Sequence, residues 1–176
     1  LIDIAIPYVM KNSIKFTSEQ YGYLIATITI GMLVGNLALG VLAKRVRTKF
    51  TMNLGLIGET VVLVMLSIVV FPKAIKLAGG RSILLFCILI CIFSAIGMFN
   101  AFVNTPISTN LQKLVPNSMR SRFFSLLGML SQGAIPLGSI LYGILLDKFK
   151  YYYILFIIVM LNALVTGIFI IRAVKE

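Results

Sequence analysis

The sequence predicts an all-α fold, a polytopic transmembrane helix bundle, from three observations. Of the 176 residues, 60 % are hydrophobic and 12 % are charged, whereas a soluble domain has about half and about a quarter. Five runs of at least about 20 residues carry almost no charge, and a helix needs that length to cross a bilayer. All 16 basic residues lie outside these runs. Strands of a membrane barrel would instead alternate apolar and polar residues.

We expect one transmembrane domain over residues 1–176, with a partial first span followed by five complete ones. Because the chain begins with Leu and its first apolar stretch is too short to cross a bilayer, we interpret it as a fragment. Thr17 and Gln20 have the spacing of a capping box before the first complete span. The expected spans are residues 1–10 (partial), 21–43, 50–71, 83–105, 123–146 and 151–171.

Each complete span is bounded by residues that favour the membrane interface or stop a helix. The first ends at Lys44 and the second at Pro72. The third follows Arg81 and the fourth follows Arg122. The fifth begins with three tyrosines, which suit the membrane–water interface, and ends at Arg172. The connections are too short to hold a folded domain outside the membrane.

The net charge of +11 is typical of the short loops of a membrane protein rather than of a nucleic-acid-binding surface, because no basic patch remains after helix insertion. Alternate loops share a side of the membrane. The loops at 44–49 and 113–122, with the C-terminal tail, carry more basic residues than the loops of the other side. We therefore expect these three segments to be cytoplasmic.

Residue types needed for most enzyme chemistry are scarce. The chain has no His and two Cys, Cys87 and Cys91, which we interpret as small buried hydrophobes rather than as a redox or metal site. Paired carboxyls and a phosphate-binding Gly-x-x-x-x-Gly-Lys-Ser/Thr loop are both missing from the sequence. We therefore expect no enzyme activity, no cofactor, no metal and no ATP hydrolysis by this chain.

Small residues within the spans predict close helix packing, because lipid gives membrane helices no hydrophobic reason to associate. Gly31 and Gly35 form a Gly-x-x-x-Gly pair, and Gly55 and Gly58 lie about one turn apart in the next span. The fourth complete span contains Pro136 and four glycines, at 128, 133, 138 and 143.

Polar residues recur at helical spacing in three spans and give each one polar face. Two interpretations stay open: a shared aqueous or substrate-facing cavity, or hydrogen bonds between helices of a dry bundle. Asn and Gln favour the cavity, whereas Ser and Thr also bond their own helix backbone. The candidate cavity residues are Thr29, Asn36, Asn100, Asn104, Ser108, Ser125, Gln132 and Ser139.

Two carboxyl groups are candidates for proton coupling. Glu59 is the one charged residue within a complete span. It lies about 15 Å along the helix from Lys49, near mid-depth, where a carboxyl can load and release a proton. Asp3, in the partial span, can play the same part. The alternative for Glu59 is structural, a protonated or paired side chain that joins two helices.

Two motifs follow each other between residues 104 and 138: a Val-Pro…Arg-x-Arg loop and a Ser-Gln-Gly…Pro-x-Gly helix. Together they resemble the C-terminal half of major facilitator superfamily transporters, most closely the macrolide and drug efflux branch. The loop after the first complete span is similar to the superfamily's loop motif at Gly40, Arg45 and Lys49, although Lys44 stands where the motif usually has an acid.

The resemblance implies that the chain is one six-helix half of a two-half transporter, which requires the missing N-terminal half or a second copy. It also implies a substrate site near mid-membrane between the halves, reached by alternating access. The first, third and fourth complete spans would line that site, and the Glu59 span would be peripheral. The loops at 44–49 and 113–122 would then lie on the cytoplasmic side of the plasma membrane.

The expected function is secondary active transport, the proton-driven export of an amphipathic small molecule that is drug-like or macrolide-like. The expected partners are the lipid bilayer, the substrate and protons, with no nucleic acid. The alternative is a passive channel or a structural subunit of a larger membrane complex, although the sequence shows neither a charged ring nor a filter loop. Export against a gradient that collapses with an uncoupler distinguishes the two.

Overall fold

The computed structural model describes residues 5–42, 48–79 and 82–175, and these ranges are helical without any strand. Five of the helices, α2, α3, α5, α6 and α7, are long and apolar enough to cross a membrane, which confirms the all-α bundle. The helices are α1 (Ala5–Val9), a π-helical turn (Met10–Ile14), α2 (Ser18–Leu42), α3 (Thr48–Val69), α4 (Pro72–Leu77), α5 (Ile83–Leu114), α6 (Arg120–Lys148) and α7 (Tyr151–Lys175).

The largest departure from the expected spans is at the end of the third. Helix α5 continues to Leu114, and α6 begins at Arg120, so the expected loop at 113–122 shrinks to residues 115–119. The Arg120 Nη2 atom donates a hydrogen bond of 2.8 Å to the Gln112 carbonyl. This bond satisfies one of the carbonyls that every helix leaves open at its C-terminus. The sequence did not predict that α5 continues to Leu114, because the expected spans follow from runs of apolar residues only.

The connection from α1 to α2 contains the expected capping box. The Thr17 amide donates to Gln20 Oε1 at 3.1 Å, and the Gln20 amide donates to Thr17 Oγ1 at 3.3 Å, which confirms the helix start. Just before it, Lys15 has a φ of 63°, a left-handed conformation that ends the π-helical turn. The chain then reverses so that the Phe16 ring packs edge-on against Phe86 at 5.7 Å.

Helices α2 and α5 pack backbone to backbone through glycine. A Cβ atom added at Gly31 would overlap the backbone of Ser94, and one added at Gly35 would overlap that of Met98. From the other side, a Cβ atom at Gly97 would overlap the carbonyl of Ile28. The predicted packing role of the Gly31–Gly35 pair is therefore confirmed, with Gly97 as a partner on the facing helix.

Helix α5 also packs against α3, and α3 packs against α7. Gly55 and Gly58 of α3 face side chains of α5, including the Phe99 ring, where a Cβ atom would overlap. On the α7 side, the Thr60 hydroxyl lies 3.0 Å from Asn162 Oδ1 and 3.1 Å from Thr166 Oγ1. A hydrogen-bonded polar cluster thus joins α3 and α7 within a mostly apolar contact.

The Asn162→Leu substitution is expected to destabilise the protein by about 0.6–1.7 kcal/mol, the range for hydrogen bonds between membrane helices. Leucine removes the acceptor that faces Thr60 and leaves the size of the side chain similar. Thermal unfolding of the purified protein in detergent measures the change. The matched control is Asn53→Leu on α3, since Asn53 forms no hydrogen bond with the described residues. Equal unfolding temperatures for both variants would contradict the assignment.

Helix α6 packs loosely. All of α6 lies within the described ranges, and Leu146, near its C-terminal end, is its one buried residue. A Cβ atom at any of its four glycines would meet open space, and Pro136 lies within the continuous helix. The close packing expected of these glycines is therefore not found in this structure. Helix α6 has little contact with the other helices, and what contact it has is mainly with α7.

The apolar core lies towards one end of the bundle. Its buried side chains come from α1, the π-helical turn, Phe16, the start of α2, the end of α3, α4, the start of α5 and the start of α7. The helix ends near residues 36–51 and 105–115 contribute none of this cluster. Side chains at that opposite end are therefore free to line an open site.

Candidate functional site

The contact between α2 and α5 brings polar residues of the two helices together. Because the two helices run in the same direction, residues just beyond the glycine contact meet. The Thr105 hydroxyl donates a hydrogen bond of 2.7 Å to Asn36 Oδ1. Asn36 was a candidate cavity residue, whereas Thr105 was not. Its signal was present in the sequence, since Thr105, Thr109 and Lys113 form a second series of polar residues at four-residue spacing, one position after the series Asn100, Asn104 and Ser108.

The polar stripe of α5 is held together by its own hydrogen bond. Asn104 Nδ2 donates to Asn100 Oδ1 at 2.8 Å. Asn104 and Ser108 are exposed and Asn100 is half-buried. On α2, Thr29 and Asn36 are exposed as well. The stripes of α2 and α5 thus lie on open surfaces of one helix pair, joined through Asn36 and Thr105.

The polar stripe of α6 is not joined to the other two. Ser125 and Gln132 are exposed and form no hydrogen bond with the described residues. The Ser139 hydroxyl donates to the carbonyl of Ile135, on its own helix, at 2.9 Å. The structure therefore brings together two of the three predicted stripes, and a cavity shared by all three stays a prediction.

A cavity of about 440 Å³ opens between α2, α3 and α5 at the end of the bundle opposite the apolar core. Its size falls in the usual range for small-molecule sites, about 300–1,000 Å³. Seven of its ten lining residues have polar side chains, and only Asn36 and Gly40 belong to the candidate site residues singled out from the sequence. The lining residues are Asn36, Leu39, Gly40, Thr48, Thr51, Thr105, Pro106, Thr109, Asn110 and Lys113.

Of the two candidate carboxyls for proton coupling, the structure describes that of Glu59. Glu59 is half-buried on α3, next to Thr60 and its cluster with α7. Its carboxylate forms no hydrogen bond or ion pair with residues in the described ranges. The paired form of the structural alternative is therefore not seen there. Asp3 lies outside the described residues.

The residues of the loop motif are spread over two helix ends. Gly40 lies near the end of α2 and lines the cavity. Lys49 is exposed in the first turn of α3. Arg45 lies outside the described residues.

The two cysteines face outwards on α5. Cys87 and Cys91 are free thiols with exposed side chains, so the expectation that they are buried is wrong. Their spacing of four residues does place them on one helix face, but that face is not one that packs against α2 or α3. The part of the chain that the structure describes contains no group of three or more metal-ligating residues.

Five spanning helices with short connections, of which α2, α3 and α5 pack through glycine, define a multi-pass helical membrane protein in a lipid bilayer. A model of the Major Facilitator Superfamily matches residues 1–176. The chain therefore belongs to this superfamily, whose members are membrane transporters and not enzymes. The search of curated proteins and the search of solved structures each gave no match.

Proposed function

We propose that the chain is the C-terminal half of a secondary active exporter of the macrolide and drug efflux type, which moves an amphipathic small molecule out of the cell in exchange for protons. The observation that carries this proposal is the pair of polar stripes on α2 and α5, joined by the Thr105–Asn36 hydrogen bond and open to the outside of the helix pair. Of these stripes, Thr29 and Asn100 lie within the membrane, where a polar side chain is costly unless it faces water or protein.

The same argument applies to α6. Gln132, near the middle of α6, is exposed and has no polar partner in the described ranges. An amide in contact with lipid tails would leave its donors and acceptors unsatisfied. The surface that covers this stripe is the missing N-terminal half or a second copy of the chain. The substrate then binds between the two surfaces, and their rocking exposes it to each side in turn.

Orientation follows from the basic residues. The segments at 44–49 and 113–122 and the C-terminal tail lie in the cytoplasm when the protein is in the plasma membrane. In that orientation the cavity between α2, α3 and α5 is at the cytoplasmic end of the bundle. Cysteine labelling of Lys49→Cys with a membrane-impermeant reagent tests this, in a background where Cys87 and Cys91 are replaced by Ala. Labelling of Lys49→Cys in intact cells would reverse the proposed orientation.

Transport is tested with ethidium, a fluorescent amphipathic cation, and erythromycin, a macrolide, in cells that express the complete protein. Export against a concentration gradient that stops when an uncoupler dissipates the proton gradient is the expected result. Uncoupler-insensitive flux that only equalises concentrations would indicate the passive channel. Failure to move either probe in any direction would favour the structural subunit.

Proton coupling is tested by the neutral variants Glu59→Gln and Asp3→Asn in the complete protein. A carboxyl that carries the proton cannot be replaced by an amide, so one of these variants is expected to lose uncoupler-sensitive export. Glu19→Gln is the control, because Glu19 is exposed in the first turn of α2. Unchanged proton-driven export in both neutral variants would exclude Glu59 and Asp3 as the coupling groups.

A further inference from the structure

The cavity between α2, α3 and α5 contains hydrogen-bond donors and one cation. The Lys113 ammonium group lines it and forms no hydrogen bond or ion pair with the described residues. Hydroxyl and amide groups from three helices surround the same space. The donors not already used within the described residues are Asn36 Nδ2, the Thr48 hydroxyl and Asn110 Nδ2. The Thr105 and Thr109 hydroxyls donate to Asn36 Oδ1 and to the Thr105 carbonyl.

The length of α5 places the cavity at the level of the lipid headgroups. Its 32 residues span about 48 Å at 1.5 Å per residue, whereas the hydrocarbon core is about 30 Å thick. Measured from Ile83, the hydrocarbon ends about 20 residues later, near residue 103. The cavity residues Thr105, Thr109 and Lys113 follow that point.

This end of the bundle carries positive charge that no acid in the described ranges offsets. Lys49, Lys113, Arg120 and Arg122 lie at the helix ends around it, and by sequence residues 43–47 add three more basic residues. Arg120 donates a hydrogen bond to the Gln112 carbonyl. Lys113 is the cationic residue among those that line the cavity. The electrostatic potential at this end of the bundle is therefore positive, so it attracts anions and repels cations.

We propose that this cavity binds a phosphate group with net negative charge, either the headgroup phosphate of an anionic membrane lipid or soluble phosphate. A phosphate presents acceptor oxygens only, which matches a lining that supplies hydroxyl and amide donors around a lysine. A zwitterionic headgroup carries a cation that the basic residues would repel. The proposal does not rest on the proposed export function, although Asn36 and Thr105 line this cavity and also join the two polar stripes. It requires only that the protein lies in a bilayer.

The test measures lipid binding to the purified protein in neutral detergent. Short-chain phosphatidylglycerol and phosphatidylcholine are titrated separately, and bound lipid is counted by native mass spectrometry. Phosphatidylglycerol is expected to bind more tightly. The Lys113→Gln variant is expected to weaken phosphatidylglycerol binding about fivefold, the effect of removing one basic residue near an anionic lipid surface. Lys113→Arg keeps the charge and is expected to keep most of the binding.

The control is Lys73→Gln, which removes an equal charge from α4, at the opposite end of the bundle, and is expected to leave binding unchanged. A further arm adds inorganic phosphate as competitor. Displacement of the lipid by inorganic phosphate identifies soluble phosphate as a ligand, and no displacement identifies the lipid headgroup. Equal binding of the two lipids, or equal weakening by Lys113→Gln and Lys73→Gln, would overturn the proposal. Because Lys113 is exposed, neither outcome can be attributed to misfolding.

Discussion

Replacing Gly97 by alanine is expected to destabilise the protein by about 1–3 kcal/mol, although alanine is the better helix former by about 1 kcal/mol. The reason is the contact between α2 and α5. A Cβ atom at Gly97 would overlap the Ile28 carbonyl, and the Met32 amide lies 3.0 Å away. These are backbone atoms, so no side-chain rotation makes room and the two helices must separate. Gly31→Ala is expected to act in the same direction, since its Cβ would overlap the Ser94 backbone.

The matched control is Gly22→Ala, on α2, where a Cβ atom meets nothing within 4 Å. That substitution is expected to leave stability unchanged or raise it by up to about 1 kcal/mol. Thermal unfolding in detergent, followed by the loss of the monodisperse peak in size-exclusion chromatography, measures all three variants. If Gly97→Ala and Gly22→Ala unfold at the same temperature, α2 and α5 do not pack backbone to backbone.

Replacing Gln132 by leucine is expected to reduce uncoupler-sensitive export of a transported probe about tenfold, the effect of losing one hydrogen bond to substrate or to the facing half. Leucine has a similar volume, and Gln132 forms no hydrogen bond with the described residues. Stability of the purified protein is therefore expected to stay the same. Initial rates of ethidium or erythromycin export, normalised to the amount of protein in the membrane, measure the effect.

Asn162→Leu is the opposite case and serves as the control. Asn162 lies between α3 and α7, where its Oδ1 atom is 3.0 Å from the Thr60 hydroxyl, so its loss is expected to lower stability but not the export rate per molecule. If Gln132→Leu and Asn162→Leu both lose export, the assignment of Gln132 to the transport path is wrong. The same conclusion follows if Gln132→Leu lowers stability and leaves the export rate per molecule unchanged.

Much of the helix pattern could be predicted from the sequence, because hydrocarbon excludes charge and the length of an apolar run is set by bilayer thickness. The capping box at Thr17 and the packing of Gly31 and Gly35 were predicted for the same kind of local reason. The end of α5 and the start of α6 were not predicted, since a helix that leaves the hydrocarbon keeps its backbone hydrogen bonds in water. Apolar counting therefore stopped short of Leu114.

The candidate site was predicted only in part. Periodicity identified Asn36 on α2 and Asn104 on α5, but it could not pair Asn36 with Thr105. It also missed the cavity lining at Thr48 and Lys113, because those residues lie on different helices and at the ends of their spans. Which residues share a cavity depends on the distance between two helices and on their offset along the bundle axis. Both are set by contacts of a glycine on one helix with residues of another helix distant in sequence, as between Gly31 and Ser94.

The sequence by itself determined that this protein lies in a membrane as a bundle of helices, because free energies of transfer into hydrocarbon act on each segment separately. Only the tertiary structure decided that α5 is the helix on which α2 and α3 pack, and that α6 has little contact with either. Close contact depends on a glycine of one helix meeting the backbone of another, as Gly97 meets Ile28. The glycines of α6 meet no such surface within the described residues.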